Sequence, residues 1–285
     1  MHLNALNGEK NMPDLINLSN MESVPSTSEY GFMRLNRFWQ EPDGEMWDGI
    51  WENTDKNEYW SEALEGNLLP EYKELFLKYF QPNQKILEAG CGVGQVVLAM
   101  RKHGFDCHGL DFAEAIIKIL NKKFPDIPFD QGDIRELPYE DKSFDGYISL
   151  GVIEHFLSGQ KLMLAEAARI IKPGGHIILS VPALNEFRKS KIKNNKYNVV
   201  PSKPFFESCI SHEELKSLLL EVGFDPIDYK YLNPVMPFVQ ETQINKLYQY
   251  IEDTRYLRSI VDRVLNFILP TNHFGHMIMV VARRR

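Results

Sequence analysis

The chain has 285 residues, of which 44% are hydrophobic, and it carries a formal net charge of −7. That apolar content suffices for a full buried core, either as one domain with additions or as two small domains. The acidic balance argues against nucleic-acid binding, which needs a basic face, and no run approaches the ~20 apolar residues of a membrane-spanning helix. Three cysteines without metal-ligand spacing predict reduced thiols, no metal site and a cytoplasmic protein, and the first residues predict no secretion signal.

The first 82 residues divide into two predicted parts. Residues 1–40 are rich in Asn, Ser, Pro and Met without a sustained period, which predicts a mobile head. Residues 41–82 are predicted to form an N-terminal helical cap, whose last helix runs from Pro70 to Phe80 because proline suits a first helical turn. Aromatic residues crowd the stretch from Trp39 to Trp60, at the end of the head and the start of the cap, and most are expected to pack on the core. They are Trp39, Trp47, Trp51, Tyr59 and Trp60.

The run KILEAGCGVGQ, from Lys85 to Gln95, predicts a buried strand, a glycine turn and the start of a helix. Alternating glycines let the backbone bend sharply and let a ligand approach it closely, so the turn predicts a nucleotide-type cofactor site. The dinucleotide fingerprint would need its third glycine at position 95, where the chain has Gln95. The carboxylate of Glu88 is also unfavourable beside phosphates and suits a ligand with positive charge.

Four further motifs follow in an alternation of strands and helices. They are FDCHGLDF, IPFDQGDI, LPYEDKSFDGYISLGVIEHF and IIKPGGHIILSVP. A helix is expected between the first two, from Ala113 to Lys123. Such alternation is typical of βαβ units and predicts a parallel sheet that is covered on both faces.

Together, ILEAGCGVG and these four motifs resemble the class I S-adenosylmethionine-dependent methyltransferases of the small-molecule type. The resemblance is close from Lys85 to Pro182 and looser from Ser211 to Tyr231 and from His276 to Arg283. It implies an α/β fold, with a Rossmann-like, seven-stranded, mostly parallel sheet, helices on both faces and an antiparallel last strand. N-terminal and C-terminal helical additions would extend a core that spans residues 83–285.

The resemblance also implies which residues bind the cofactor, S-adenosylmethionine. The glycine turn and the carboxylate of Glu88 would hold the methionine part, Asp111 the ribose hydroxyls, and the carbonyl of Leu150 the ammonium group. Adenine would lie against residues that follow the second and third strands, and an N-terminal helix would close over the site. The complete predicted set is Glu88, Gly90, Gly92, Gly94, Asp111, Phe112, Asp133, Ile134, Leu150, Tyr59 and Trp60.

One residue is predicted to act in catalysis. Methyl transfer from a sulfonium is an in-line displacement, which mainly requires an aligned nucleophile and the exclusion of water. A base is needed only where the acceptor must lose a proton. His155 follows the fourth predicted strand and belongs to the residue type that titrates near neutral pH, so it is the predicted base for an oxygen acceptor. The alternative is that Glu154 and His155 only brace the loop.

Residues 183–210 are predicted to be a basic insertion. Its cations are Arg188, Lys189, Lys191, Lys193 and Lys196. The segment is interpreted either as a solvated connecting loop or as a mobile lid that attracts an anionic acceptor.

Two helical elements are predicted after this insertion. SHEELKSLLLEVGF has Ser211 as its N-cap and Gly223 at its end. A longer amphipathic stretch lies between Gln243 and Leu269, within a helical addition at 233–272, and its acidic residues favour a packed helix over a membrane-surface element. Its apolar stripe is Ile260, Val261, Val264, Leu265 and Ile268.

The predicted function is methyl transfer from S-adenosylmethionine to a small-molecule acceptor, at oxygen, with nitrogen and carbon as open alternatives. Methylation of a protein or a lipid is a second hypothesis. A third is a non-catalytic sensor or partner subunit that binds the cofactor, because intact motifs indicate binding and not turnover. A hydride-transferring enzyme is the least favoured, because of Glu88 and Gln95. The acceptor and the oligomeric state stay open.

Overall fold

A computed structural model describes residues 21–40, 42–53, 56–197, 199–242, 244, 248 and 254–285. Residues 1–20, half of the predicted head, lie outside the described residues. The strands are β1 (Glu22–Thr27), β2 (Met33–Phe38), β3 (Lys85–Ala89), β4 (Asp106–Asp111), β5 (Phe129–Gln131), β6 (Phe144–Leu150), β7 (Ile171–Pro182), β8 (Phe205–Cys209), β9 (Phe224–Leu232) and β10 (Met277–Arg284). The helices are α1 (Gly44–Asn53), α2 (Lys56–Leu64), α3 (Pro70–Tyr79), α4 (Gln95–Lys102), α5 (Glu114–Lys123), α6 (Gln160–Ile170), α7 (Glu186–Lys193), α8 (His212–Glu221), α9 (Val235–Gln240), α10 (Arg255–Ile268) and α11 (Thr271–Phe274).

The larger of the two sheets among the described residues has seven strands, in the order β5-β4-β3-β6-β7-β10-β9. The pairs from β5 to β7 are parallel, whereas β10 runs antiparallel to both β7 and β9. The predicted fold class is therefore confirmed. The chain turns back across β3 to place β4 on one side and β6 on the other, and open α/β sheets bind ligands at the carboxyl ends of strands at such a switch point.

Helices cover both faces of this sheet because its central strands are apolar on both sides. In β3, Ile86 belongs to the hydrophobic cluster that includes α4 and α5, and Leu87 belongs to the cluster that includes α6 and α8. Both side chains are fully buried. Successive side chains of a strand point to opposite faces, so β3 is held between two apolar layers. Its carboxyl end delivers Glu88 and the glycine turn to the switch point.

The smaller sheet contradicts the prediction of a mobile head for residues 22–38. Here β1 and β2 form an antiparallel hairpin, and β2 pairs with β8, so that Leu35 lies opposite Cys209. Both of these side chains are buried. The pairing partner of β2 lies in the predicted basic insertion, far along the chain. Local composition alone could not indicate it.

The basic insertion is not a loop, because it contains α7 and β8. The side chain of Asn185 caps α7 by accepting a hydrogen bond from the backbone N–H of Arg188. Arg188 is itself buried, and its Nε donates to Glu241 over 2.7 Å. Lys189 and Lys191 also reach carboxylates, on Glu186 and Glu241 respectively. The interpretation of the segment as a solvated connecting loop was therefore wrong, and carboxylates neutralise three of its five cations.

The two C-terminal helical predictions have different outcomes. Ser211 accepts a hydrogen bond from the backbone of Glu214, and Gly223 ends α8 in the left-handed region, so the first prediction is confirmed. In α10, Val261 and Leu265 pack against α9, while the rest of the predicted stripe is exposed. Packing thus covers only part of this amphipathic helix. None of the described helices combines the length and apolar composition that crossing a membrane requires.

Candidate cofactor and acceptor site

A cavity of about 810 Å³ opens at the carboxyl ends of β3, β4 and β6, beneath the N-terminal helices. Its volume lies in the upper part of the ~300–1,000 Å³ range of small-molecule sites. Nine residues of the predicted cofactor set line it: Tyr59, Glu88, Gly90, Gly92, Asp111, Phe112, Asp133, Ile134 and Leu150. Gly94 and Trp60 are not among the lining residues.

The glycine turn forms the floor of this cavity, and larger residues would not fit there. Gly90 and Gly92 have φ angles of 83° and 48°, which L-residues rarely adopt. A Cβ atom on Gly90 would lie 2.3 Å from a methyl group of Val152, and one on Gly92 would lie 2.7 Å from the ring of Trp51. Side chains at these positions would fill the cradle. The turn therefore fits a ligand that approaches the backbone closely, as the resemblance to cofactor-binding enzymes requires.

Gly94 has a different position. It is the N-cap of α4 in the left-handed region, and a Cβ there would lie 2.9 Å from the ring of Phe129. Its lack of a side chain serves the packing of α4 against the sheet.

Glu88 lies at the end of β3 and is almost fully buried. Its Oε2 accepts a hydrogen bond from the backbone N–H of Val97 over 3.1 Å, in the first turn of α4. Burial raises the pKa of Glu88 well above its ordinary value, and the nearby charge of Asp111 adds to the rise. A positively charged ligand in this cavity would stabilise the ionised form of Glu88.

Asp111 ends β4 and ties the two cofactor motifs together. Its Oδ2 accepts from the backbone N–H of Gly92 over 2.8 Å, and its Oδ1 accepts from that of Ala113 over 3.0 Å. Burial raises the pKa of the Asp111 carboxyl, although these backbone hydrogen bonds oppose the rise. Each oxygen keeps a further lone pair, so the carboxylate can still accept hydrogen bonds from a vicinal diol. The half-exposed ring of Phe112 lies beside it in the cavity wall.

An arginine that was not among the predicted site residues, Arg135, directly follows the third predicted motif. Arg135 donates to both carboxylate oxygens of Asp133, and hydrogen bonding to this guanidinium lowers the pKa of Asp133. Ile134 is buried between them in the chain and lines the cavity. The carboxylate of Asp133 thus already accepts hydrogen bonds from Arg135. It would have to accept a hydrogen bond from adenine in addition.

The aromatic cap lines the cavity through different tryptophans from the one predicted. The indole Nε1 of Trp60 donates to the carbonyl of Val93 over 2.8 Å, so this ring supports the glycine turn from outside the cavity. Trp47 and Trp51 line the cavity instead, with ring centroids 6.0 Å apart in a stacked arrangement. Their i,i+4 spacing places them on one face of α1, which was a signal available in the sequence.

The placement of His155 does not support its predicted role as a base. Its Nδ1–H donates to the carbonyl of Phe206 over 2.9 Å, and its Nε2 is buried with no hydrogen-bond partner among the described residues. Neither nitrogen is therefore presented to the open cavity. Burial lowers the pKa of His155, which favours the neutral ring. The ring of Trp47 packs edge-on against it, with centroids 5.1 Å apart.

The basic segment contributes none of its five cations to the described lining of the cavity. Arg135 is the one arginine or lysine in the described lining, and Asp133 already pairs with it. The prediction of an anionic acceptor drawn in by this segment therefore gains no support from the arrangement.

Residues 87–179 match a protein-family model described as a methyltransferase domain. A protein of Mycolicibacterium smegmatis described as an S-adenosylmethionine-dependent methyltransferase is 31% identical over 143 residues, which are 50% of this chain and 52% of that protein. The demethylmenaquinone methyltransferase of Renibacterium salmoninarum is 28% identical over 170 residues, with 53% of this chain and 71% of that protein covered. The matched region thus spans about half of the first relative and 71% of the second.

A comparison with solved structures extends the similarity to most of the chain. A chain in the complex that contains the Haloferax volcanii Trm112 methyltransferase activator superposes with a TM-score of 0.56 at 18% identity. The superposition covers 84% of this chain and 97% of the other. At this identity it supports the fold alone. The matched domain and the order of the strands agree, and residues 87–179 form a methyltransferase domain that is similar to those of class I S-adenosylmethionine-dependent methyltransferases.

Proposed function

We propose that this protein transfers the methyl group of S-adenosylmethionine to a small, apolar acceptor that contains a ring. The observation that carries this proposal is an aromatic wall that runs from the glycine turn into the rest of the cavity. Trp51 lies against Gly92, Trp47 stacks on Trp51, and Trp47 also contacts His155. Flat apolar surfaces of this kind bind rings by stacking and by burial of apolar area.

The roles proposed for the cofactor residues follow from their placement. The backbone of the glycine turn and Glu88 hold the methionine part, Asp111 holds the ribose, and Phe112 and Ile134 enclose the adenine. The bound cofactor supplies a methyl group on a positively charged sulfur. The chain contributes alignment of the acceptor and exclusion of water, which can account for ~7–11 kcal/mol of a reaction barrier. We propose that residues 41–82 serve as the cap that provides this exclusion.

The nature of the acceptor is supported by two kinds of observation. The cavity lining also includes the apolar residues Phe205, Met236 and Met277. One relative is named a demethylmenaquinone methyltransferase, and a quinone contains an apolar ring. The preference for oxygen depended on His155 as a base. With that support removed, ring carbon and ring hydroxyl oxygen are the two acceptor atoms to distinguish.

A labelling experiment tests the proposal. The protein is incubated with S-adenosylmethionine labelled in its methyl group and with phenols, hydroquinones, a protein extract or phospholipid vesicles. Label is expected in the phenol or hydroquinone fraction. Hydroiodic acid then releases the label from an O-methyl ether but not from a C-methyl group. Transfer to protein or phospholipid, or cofactor binding without any transfer across the panel, would overturn the proposal.

Replacing Trp47 tests the aromatic wall. We expect Trp47→Ala to raise the KM for the ring acceptor about tenfold or more, because it removes a stacking surface, while cofactor affinity changes little. Trp39→Ala is the matched control, because Trp39 also packs on an aromatic ring, that of Phe206, but does not line the cavity. Steady-state kinetics with varied acceptor, and calorimetry with cofactor alone, separate the two effects. Equal increases in KM for both variants would contradict the assignment.

A further inference from the structure

Three ligand-type side chains meet behind the cavity wall: Glu154, His155 and Glu207. Glu154 and His155 belong to the 3₁₀ turn Ile153–His155 that follows β6, and Glu207 lies in the middle of β8. One nitrogen or oxygen atom from each lies within 4.8 Å of those of the other two. The third member reaches the turn because β8 packs directly beside it, where the carbonyl of Phe206 accepts a hydrogen bond from His155.

The polar atoms in this cluster lack partners to an unusual degree. Glu154 is fully buried, and neither of its carboxylate oxygens has a hydrogen-bond partner among the described residues. Nε2 of His155 and Oε2 of Glu207 also lack a hydrogen-bond partner among the described residues. These two residues are only 9% and 1% exposed, respectively. Buried charges are normally paired or coordinate a metal ion, because desolvating an unpaired charge is strongly unfavourable. Four unpartnered polar atoms in one buried cluster point to a missing positive charge.

The surroundings of His155 fix its ring in the form that binds metals. A backbone carbonyl only accepts hydrogen bonds, so the proton must be on Nδ1, which donates to Phe206. Nε2 then carries a free lone pair and is the ring nitrogen left available as a ligand. Histidine ligands of metals are commonly held in this way, by donation from the other ring nitrogen to a carbonyl or carboxylate.

Neighbouring arginines pair with Glu207 but not with Glu154 among the described residues. Arg37 donates to Oε1 of Glu207 over 2.7 Å, which leaves Oε2 directed elsewhere. Arg37 also lies 3.9 Å from Glu241, which in turn pairs with Arg188. Burial, together with the charge of Glu207, raises the pKa of Glu154 well above its ordinary value. A divalent cation would satisfy Glu154 where these arginines do not.

We propose that Glu154, His155 and Glu207 bind a divalent transition-metal cation, of the Zn²⁺ or Mn²⁺ class. One imidazole nitrogen and two carboxylate oxygens suit these ions, whereas Mg²⁺ and Ca²⁺ prefer oxygen ligands alone. The cation joins the 3₁₀ turn to β8 and so fixes the cavity wall at His155. This differs from the expectation of no metal site, which rested on cysteine spacing and did not consider carboxylates distant in the chain.

The test is metal binding by the full chain, without cofactor or acceptor, so its result is separate from that of the proposed function. The protein is treated with EDTA, desalted and titrated with Mn²⁺ while the electron paramagnetic resonance signal of free Mn²⁺ is recorded. Zn²⁺ is titrated in parallel by calorimetry. We expect saturation at one ion per chain, and Glu154→Gln and Glu207→Gln should weaken binding by about tenfold or more.

Melting temperatures distinguish a variant that has lost the metal site from one that has failed to fold. Glu154→Gln removes a buried carboxylate that has no partner, so the metal-free variant should melt at a higher temperature than the metal-free wild type, and added Zn²⁺ should no longer raise its melting temperature. Glu114→Gln, on the exposed surface of α5, is the control and should bind the ion as the wild type does. Absence of saturable binding in the wild type would overturn the proposal and favour a protonated Glu154. Unchanged binding in Glu154→Gln would also overturn it.

Discussion

Asp111→Asn is expected to weaken binding of S-adenosylmethionine about 10- to 100-fold, equivalent to about 1.5–3 kcal/mol for hydrogen bonds to a charged group. The carboxylate of Asp111 accepts from the backbone N–H groups of Gly92 and Ala113 at once. An amide can accept through only one of its two terminal atoms, so its NH₂ group would face one of these donors. The substitution therefore loosens the glycine turn and also removes an acceptor proposed for the ribose.

Isothermal titration with the cofactor measures this effect, and the same strand provides its control. Asp106 begins β4 at the opposite end, where it pairs with Arg101 and His108 near the surface. Asp106→Asn should bind the cofactor with nearly wild-type affinity. If Asp111→Asn also binds it within twofold of the wild type, Asp111 has neither proposed role.

Glu214→Ala should lower the free energy of unfolding by about 3–5 kcal/mol, the range for removing one partner of a buried ion pair. Nε and Nη2 of Arg34 donate to the carboxylate of Glu214 over 3.1 and 2.7 Å. The side chains of Arg34 and Glu214 are only 2% and 0% exposed. The pair joins β2 to α8. Without Glu214, the oxygen of Gln160, over 3.3 Å, would be the one side-chain hydrogen-bond partner left to the guanidinium of Arg34 among the described residues.

Urea unfolding, followed by two independent probes, measures the loss. Glu221→Ala is the matched control, because Glu221 lies in the same helix but pairs with Lys161 at the exposed surface, and its removal should leave the urea midpoint nearly unchanged. The double variant Arg34→Met/Glu214→Leu should regain much of the lost stability, since no charge is then left buried. A loss for Glu214→Ala no larger than that for Glu221→Ala would show that the buried pair contributes little.

Much of the methyltransferase core could be predicted from local patterns. Gly90 and Gly92 have positive φ angles, and Ser211 and Gly223 begin and end α8 as predicted. Each of these features depends on a few consecutive residues, because a positive φ angle or a helix cap is a property of the backbone within one turn. Such features can be read without knowing what packs against them.

Predictions that required side chains to be placed were less successful. Trp60 and Trp51 both belong to the aromatic cap, but Trp60 supports Val93 from outside the cavity while Trp51 lines it. Likewise, the position of His155 after β6 was predicted, but the direction of its nitrogens was not, because the carbonyl of Phe206 decides it. The orientation of a side chain depends on contacts between segments that are distant in the chain, and sequence periodicity and residue spacing carry no information about these contacts.

The order of residues alone was sufficient to predict the fold class and the glycine turn, because strand and helix alternation and the glycine spacing are local and strongly constrained. Tertiary contacts were needed to show that residues 22–38 form strands, that Arg188 is buried and that Glu207 faces Glu154 and His155. The physical reason is common to all three. Pairing of β2 with β8, burial of charge and convergence of ligands each join segments that are far apart in the chain, and their energies arise only when the sheet has assembled.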